Sequence, residues 1–316
     1  MPFETSETPE SDAGARERKE LWLLGQPALS DFLDFVRRAV VNGEAMDRRA
    51  LIDSWRKAND VYHALETSED GIADEVERLP LPDAMADVAA ELEASPLFAR
   101  TFDRMPTAIE MVELDKIVVS QRRVTKSFVD GLVAKLSPQP DPVALFRFCQ
   151  PLERRDPPVT IRQLSSDRYL FSSDSNDLRV HQASLLRPEQ LVGHESVGPV
   201  AAAVGLVVGY GSNFLSLIRS DDRVVLHNGY HRAVAMRAAG ITHAPCIVQT
   251  VTRKDELDVS AADAVAEDPA FYFRSRRPPI LKDFFDPRIV TTLRVRPLRR
   301  LIEVSFEVRE HSAHEV

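Results

Sequence analysis

The chain is poor in residues that staple or ligate. Its 316 residues hold two cysteines, Cys149 and Cys246, too few for a disulfide framework and without a Cys-x-x-Cys pair for zinc. That count suits a reducing, cytoplasmic setting. Of eight histidines, His227 and His231 are the one pair spaced His-x-x-x-His. Gly229 interrupts them, so the i, i+4 geometry of a helical metal site does not apply. No apolar run approaches the roughly 20 residues of a membrane helix. The opening residues 1–18 (MPFETSETPESDAGARER) are polar and charged, not basic and then apolar as in a secretory leader, and are expected to be disordered. There is no Walker-type Gly-x-x-x-x-Gly-Lys loop, no Gly-x-Gly-x-x-Gly turn and no Gly-x-Ser-x-Gly elbow. Positive charge is short as well. A formal net charge of −9 argues against nucleic-acid binding by the whole surface.

What is present is an ordinary globular composition, 44% hydrophobic and 28% charged, over a length that suggests two domains or one with an appendage. Residues 19–104 read as helical. Trp22, Leu23, Leu29, Phe32, Leu33 and Val36 recur at helical spacing, Ser30 stands as an N-cap, and Leu51 to Leu65 and Asp83 to Glu93 are further helices. Val112–Val119 reads as a strand and Thr125–Leu136 as a helix with Phe128, Leu132 and Leu136 on one face. Leu145–Cys149, Val159–Leu164, Tyr169–Ser172 and Leu178–Leu186 read as short strands, and Val200–Val208 as a helix running into a strand. Leu215–Ile218 and Val224–Leu226 read as a hairpin. Lys254–Glu267 is an acidic helix. Arg274, Arg276, Arg277, Lys282, Arg288, Arg294, Arg296, Arg299 and Arg300 then form a basic tail able to meet DNA or an acidic protein.

The strongest local signal is Leu226-His227-Asn228-Gly229-Tyr230-His231-Arg232. A β-branched strand runs into a glycine turn, then into an alanine-rich helix that Gly240 closes. The first amides of such a helix lack intrahelical partners and sit at the positive end of its dipole. With His231 and Arg232 beside them, the turn suits a phosphate.

The segment HNGYHRAVAMRAAGITHAPCIV resembles the signature of the ParB/sulfiredoxin-like superfamily, and MVELDKIVVSQRRVTKSFVDGLVAKL resembles its opening unit. The resemblance covers about 111–136 and 219–251. It implies an α+β fold with a superfamily core over 105–251 and a β-rich insertion at about 138–215; the helical region precedes that core, and residues 252–316 follow it as the acidic helix and basic tail read above. It also implies nucleotide handling. Asn228, Gly229, Tyr230, His231 and Arg232 would cradle phosphates, with Gln121, Arg122 and Arg123 lining the pocket and Thr125 and Lys126 at the next helix start. The nucleotide would be ATP or another, with Mg²⁺ brought in by it. A phosphotransferase or hydrolase would need a carboxylate, for which Glu113 and Asp115 are the candidates, with His231 as a third catalytic group. Tyr230 stands where sulfiredoxins have their catalytic cysteine, which excludes sulfinic acid reduction. Asn228 stands where many relatives have aspartate. A non-enzymatic, nucleotide-gated DNA adaptor and a purely structural interaction protein are the alternative expectations.

Overall fold

The computed structural model describes residues 18–26, 28–137, 139–153, 156–175, 177–193, 197–261 and 263–312. The expected disordered leader lies outside them, apart from Arg18. The fold is mixed α and β and divides into two units. One runs to Leu152 and resumes over Asn213–Pro297; the other is Glu153–Ser212 with the chain from Leu298 onward. The first two boundaries of this division, after Leu152 and after Ser212, fall within the stretch 138–215 expected to be an insertion.

In chain order the first unit begins with β1 (Arg18–Leu23), α1 (Leu29–Ala39), α2 (Arg48–Ser68), β2 (Arg78–Leu79), α3 (Ala86–Glu93) and α4 (Pro96–Phe102). β3 (Thr107–Glu113), β4 (Val118–Val119), β5 (Arg123–Thr125), α5 (Lys126–Val133) and α6 (Pro142–Cys149) follow. The second unit supplies β6 (Thr160–Ser165), β7 (Arg168–Ser173), β8 (Leu178–Leu186) and β9 (Ala203–Tyr210). The first unit then resumes with β10 (Ser216–Ser220), β11 (Arg223–Asn228), α7 (Tyr230–Ala238), β12 (His243–Thr250), α8 (Lys254–Ser260), α9 (Asp263–Glu267), α10 (Pro269–Arg274) and β13 (Val290–Val295); β14 (Arg300–Ser305) returns to the second.

Two sheets build the first unit. The larger is six-stranded in the order β2-β3-β12-β10-β11-β4. β10 and β11 are the expected antiparallel hairpin, with Asp221 taking the left-handed φ of 53° at the turn, a conformation aspartate tolerates better than most residues. β12 returns parallel to β10 after α7, a helical crossover of the kind parallel pairing requires. The smaller sheet is β13-β1-β5, antiparallel throughout. The main core lies around the larger sheet, with Leu215, Leu217, Val224, Leu226, Ala233, Ala235, Met236, Cys246 and Ile247 buried in one cluster. In the second unit β14-β7-β6 form one sheet and β8-β9 a two-stranded ribbon.

Several sequence expectations are corrected. Trp22 and Leu23 lie on a strand, not a helix, because β5 and β13 pair with both edges of β1. α1 starts at Leu29 after Ala28, with no side-chain cap from Ser30. The expected Val112–Val119 strand is broken, β3 ending at Glu113 and β4 beginning at Val118. Leu145–Cys149 is helical: Asp141 accepts hydrogen bonds from the amides of Val143 and Ala144, and Pro142 occupies the first helical turn, two start signals that override a strand-like apolar run. α5 buries Val129 and leaves Phe128 57% exposed, so Phe128 is not on the core face. Val200–Val208 is strand only, from Ala203. The acidic helix after Val251 is two, α8 and α9.

The basic tail is largely paired within the fold. β13 inserts beside β1. Arg277 is fully buried, with Nη1 2.5 Å and Nη2 2.7 Å from the Asp283 carboxylate and Nη2 2.9 Å from Glu69, the residue that follows α2. Burial works against its charge, but hydrogen bonds and charge from Asp283 and Glu69 outweigh this and push its pKa up. Lys282 joins Glu69 at 2.7 Å, Arg276 joins Asp70, and Arg288 joins Asp286. In the second unit Arg299 meets Asp174 at 3.3 Å. Of these cations Arg276, Arg288 and Arg299 stay largely exposed while paired.

Candidate functional site

The glycine turn forms where β11 hands over to α7. Gly229 holds φ 95°, and a Cβ there would lie 2.7 Å from Leu215 Cδ1 and 3.2 Å from Leu215 Cα. Only glycine combines that φ with that clearance. Its amide donates to Asn228 Oδ1 at 2.8 Å. Gly240 closes the helix at φ 85°.

The three side chains that follow do structural tasks. Tyr230 is buried, and its hydroxyl donates to the Leu226 carbonyl at 2.6 Å. With its proton committed there, the same oxygen accepts from the amides of Ser120 and Gln121 at 3.1 and 3.3 Å and from the Ser120 hydroxyl at 2.8 Å. Burial pushes its pKa up, so the phenol stays protonated. His231 Nε2 accepts from the Thr125 amide at 3.0 Å. That places the imidazole proton on Nδ1. Burial, then the charge of Arg232, lowers the His231 pKa to about 4. Arg232 is 7% exposed; its guanidinium donates to the carbonyls of Phe148 and Cys149 at the end of α6 and to Asn213 Oδ1 at 3.1 Å. Burying a cation against carbonyls is a helix C-terminal use of arginine.

The expectation that His231 and Arg232 present side-chain donors to phosphate is therefore corrected. One is a neutral acceptor, the other a buried clamp. Thr125 does stand at the start of α5, but its side chain makes no cap bond, and its amide goes to His231.

The upstream segment does come to the turn. Ser120 and Gln121 sit on Tyr230, Thr125 on His231, and α5 packs beside α7. Arg123 pairs with Glu20 at 3.1 Å and stacks on Phe35, so it is committed elsewhere. Gln121 closes its own loop through the Arg123 carbonyl. Lys126 pairs with Asp130 at 2.8 Å on an exposed face. Arg122 is half-buried and makes no ion pair among the described residues.

Glu113 and Asp115 do not join this group. Asp115 pairs with Arg237 in the last turn of α7. At 1.5 Å per residue that is about 10 Å along the helix from Tyr230. Glu113 faces His243 across the sheet, accepts from the Glu77 amide at 3.1 Å and pairs with Lys116 at 3.2 Å. Both carboxylates lie near the wrong end of α7 to act on a phosphate at its start, and their assignment as catalytic partners of the turn is corrected. No group of three His, Cys, Asp or Glu able to hold a metal is present among the described residues. No described helix is long and apolar enough to cross a membrane. Cys246 is buried in β12, as expected, and burial pushes its thiol pKa up.

Sequence reasoning missed Glu20, which lay in a segment read as helical, and Ser120, which no motif marks. The edge-on contact of Phe128 with the His231 ring, centroids 5.1 Å apart, was also missed. No family model matches the chain, and no curated protein or solved structure was found to match it.

Proposed function

We propose that the first unit has a ParB/sulfiredoxin-like core and binds the phosphates of a nucleotide where α5 and α7 begin, without chemical turnover of its own. The observation that carries this reading is the meeting of two helix starts through Thr125 and His231. Each start offers backbone amides at the positive end of a dipole, and an anion near both gains from both. Lys126 and Arg122 are the cations of this segment least tied to the fold: the Lys126 side chain is 42% exposed and pairs only within its own helix, and Arg122 has no ion pair among the described residues. Binding alone is proposed because Glu113 and Asp115 lie at the other end of α7 and His231 is a neutral acceptor. Such a site would serve nucleotide-gated recognition of a partner better than phosphoryl transfer. Calorimetric titration of the full chain with ATP, CTP, GTP and ADP, with and without Mg²⁺, tests it; absence of binding by all four overturns it.

A second reading has its own observation. Arg232 is consumed by α6 and Asn213, as in a turn kept only for packing. That reading expects no ligand at all, and the same titration separates the two.

A further inference from the structure

A separate cleft of about 310 Å³ opens beside the start of α1, against α2 and α10. Three aromatic side chains, Trp55, Tyr62 and Phe271, line it, together with Gln26, Asn59 and Glu66. The polar groups are strongly biased toward acceptors. Gln26 Oε1 is buried and has no hydrogen-bond partner among the described residues. Asn59 places its amide nitrogen on the Gly25 carbonyl at 2.7 Å, so the group it has left is a carbonyl oxygen. Glu66 brings a carboxylate that is 42% exposed. Among the described residues no lysine or arginine lines the cleft and His63 is its one basic side chain, in contact with Glu66 at 3.3 Å.

Acceptor oxygens among aromatic rings define the ligand by what they lack, a planar donor of positive charge. A buried carbonyl without a partner favours any ligand that brings an N–H to it. Aromatic rings attract a cation through their negative faces. Guanidinium meets both demands: it stacks on rings and spreads five N–H donors in one plane. The cleft is at the small end of ligand pockets, too small for a nucleotide but sufficient for such a group. We infer that this cleft binds a guanidinium group, carried either by a free arginine-like small molecule or by an arginine side chain of a peptide. The inference does not depend on the nucleotide reading, since the cleft shares no residue with the glycine turn.

The test titrates the full chain with L-arginine, with N-acetyl-Gly-Arg-Gly-amide, and with L-citrulline, the neutral isostere of arginine. Trp55 fluorescence and calorimetry report binding. Saturable binding of arginine or of the peptide is expected, with citrulline weaker by about tenfold or more, as for loss of a charge-assisted donor. Tighter binding of the peptide assigns the site to a protein partner, and tighter binding of arginine to a small molecule. Gln26→Leu and Glu66→Gln should each weaken binding by about fivefold or more, because each removes one acceptor. Trp55→Phe, which retains a ring, should still bind. Absence of saturable binding by either cationic probe, equal binding of citrulline, or undiminished binding by folded Gln26→Leu and Glu66→Gln chains overturns the inference.

Discussion

The Nε2 atom of His231 accepts the backbone hydrogen of Thr125 at 3.0 Å, across 106 residues of sequence. The bond needs an unprotonated nitrogen, and burial keeps it so, with a pKa lowered to about 4. In the unfolded chain the same group titrates near the ordinary value of about 6.5. Between these values the unfolded state binds the proton and the folded state does not, so stability falls as pH drops from 6.5 toward 4. The loss from this one group is about 3 kcal/mol at most. Urea unfolding of the wild type and of His231→Gln at several pH values checks it. The stability advantage of the wild type at pH 7 should shrink as pH falls; a constant difference would contradict the assignment.

Tyr230→Phe should leave the amides of Ser120 and Gln121 and the carbonyl of Leu226 without their shared partner. Each unsatisfied buried group costs about 1–3 kcal/mol, less where water reaches it. A drop in unfolding free energy of about 2 kcal/mol is expected, with faster hydrogen exchange at Ser120 and Gln121. Exchange unchanged at both amides would show that the hydroxyl does not hold this segment.

Gly229→Ala combines a φ of 95° with a Cβ 2.7 Å from Leu215 Cδ1. A loss of about 1–3 kcal/mol follows from strain alone. Thermal unfolding reads it, and an alanine variant as stable as the wild type would contradict the turn geometry.

Asp283→Ala should be among the most destabilising single changes. It leaves the fully buried Arg277 guanidinium with Glu69 as its remaining carboxylate partner among the described residues and removes the acceptor of Tyr62 and of the Ile280 amide. Breaking one side of a buried pair costs about 3–5 kcal/mol. Replacing both Arg277 and Asp283 by apolar residues should cost less than the single change, which a double-mutant cycle measures.

The glycine turn was legible because it depends on local rules: a strand, a φ that only glycine accepts there, and an alanine-rich helix. The convergence of Gln121–Lys126 on that turn came from resemblance and is matched by the contacts of Ser120, Gln121 and Thr125. The direction of the side chains was not legible. His231 and Arg232 look like phosphate ligands in sequence because both carry donors, yet long-range partners turn one into an acceptor and bury the other. β1 was misread for a similar reason. Its pairing partners lie about 100 residues away in β5 and about 270 away in β13, and no local pattern reports them. The arginines of the tail read as a basic surface because their acids, Glu69 and Asp70 on or beside α2, are some 200 residues distant in sequence.

The most direct measurement of the central reading is calorimetric titration of nucleotide into the wild type and into an Arg122→Ala, Lys126→Ala double variant. Lys126 pairs only with Asp130 on its own helix and Arg122 makes no ion pair among the described residues, so stability should change by no more than about 0.5–1 kcal/mol. The account predicts saturable nucleotide binding by the wild type and at least about tenfold weaker binding by the folded variant, the loss expected when charge-assisted phosphate contacts are removed. No nucleotide binding by the wild type, or equal binding by the two proteins, would contradict it.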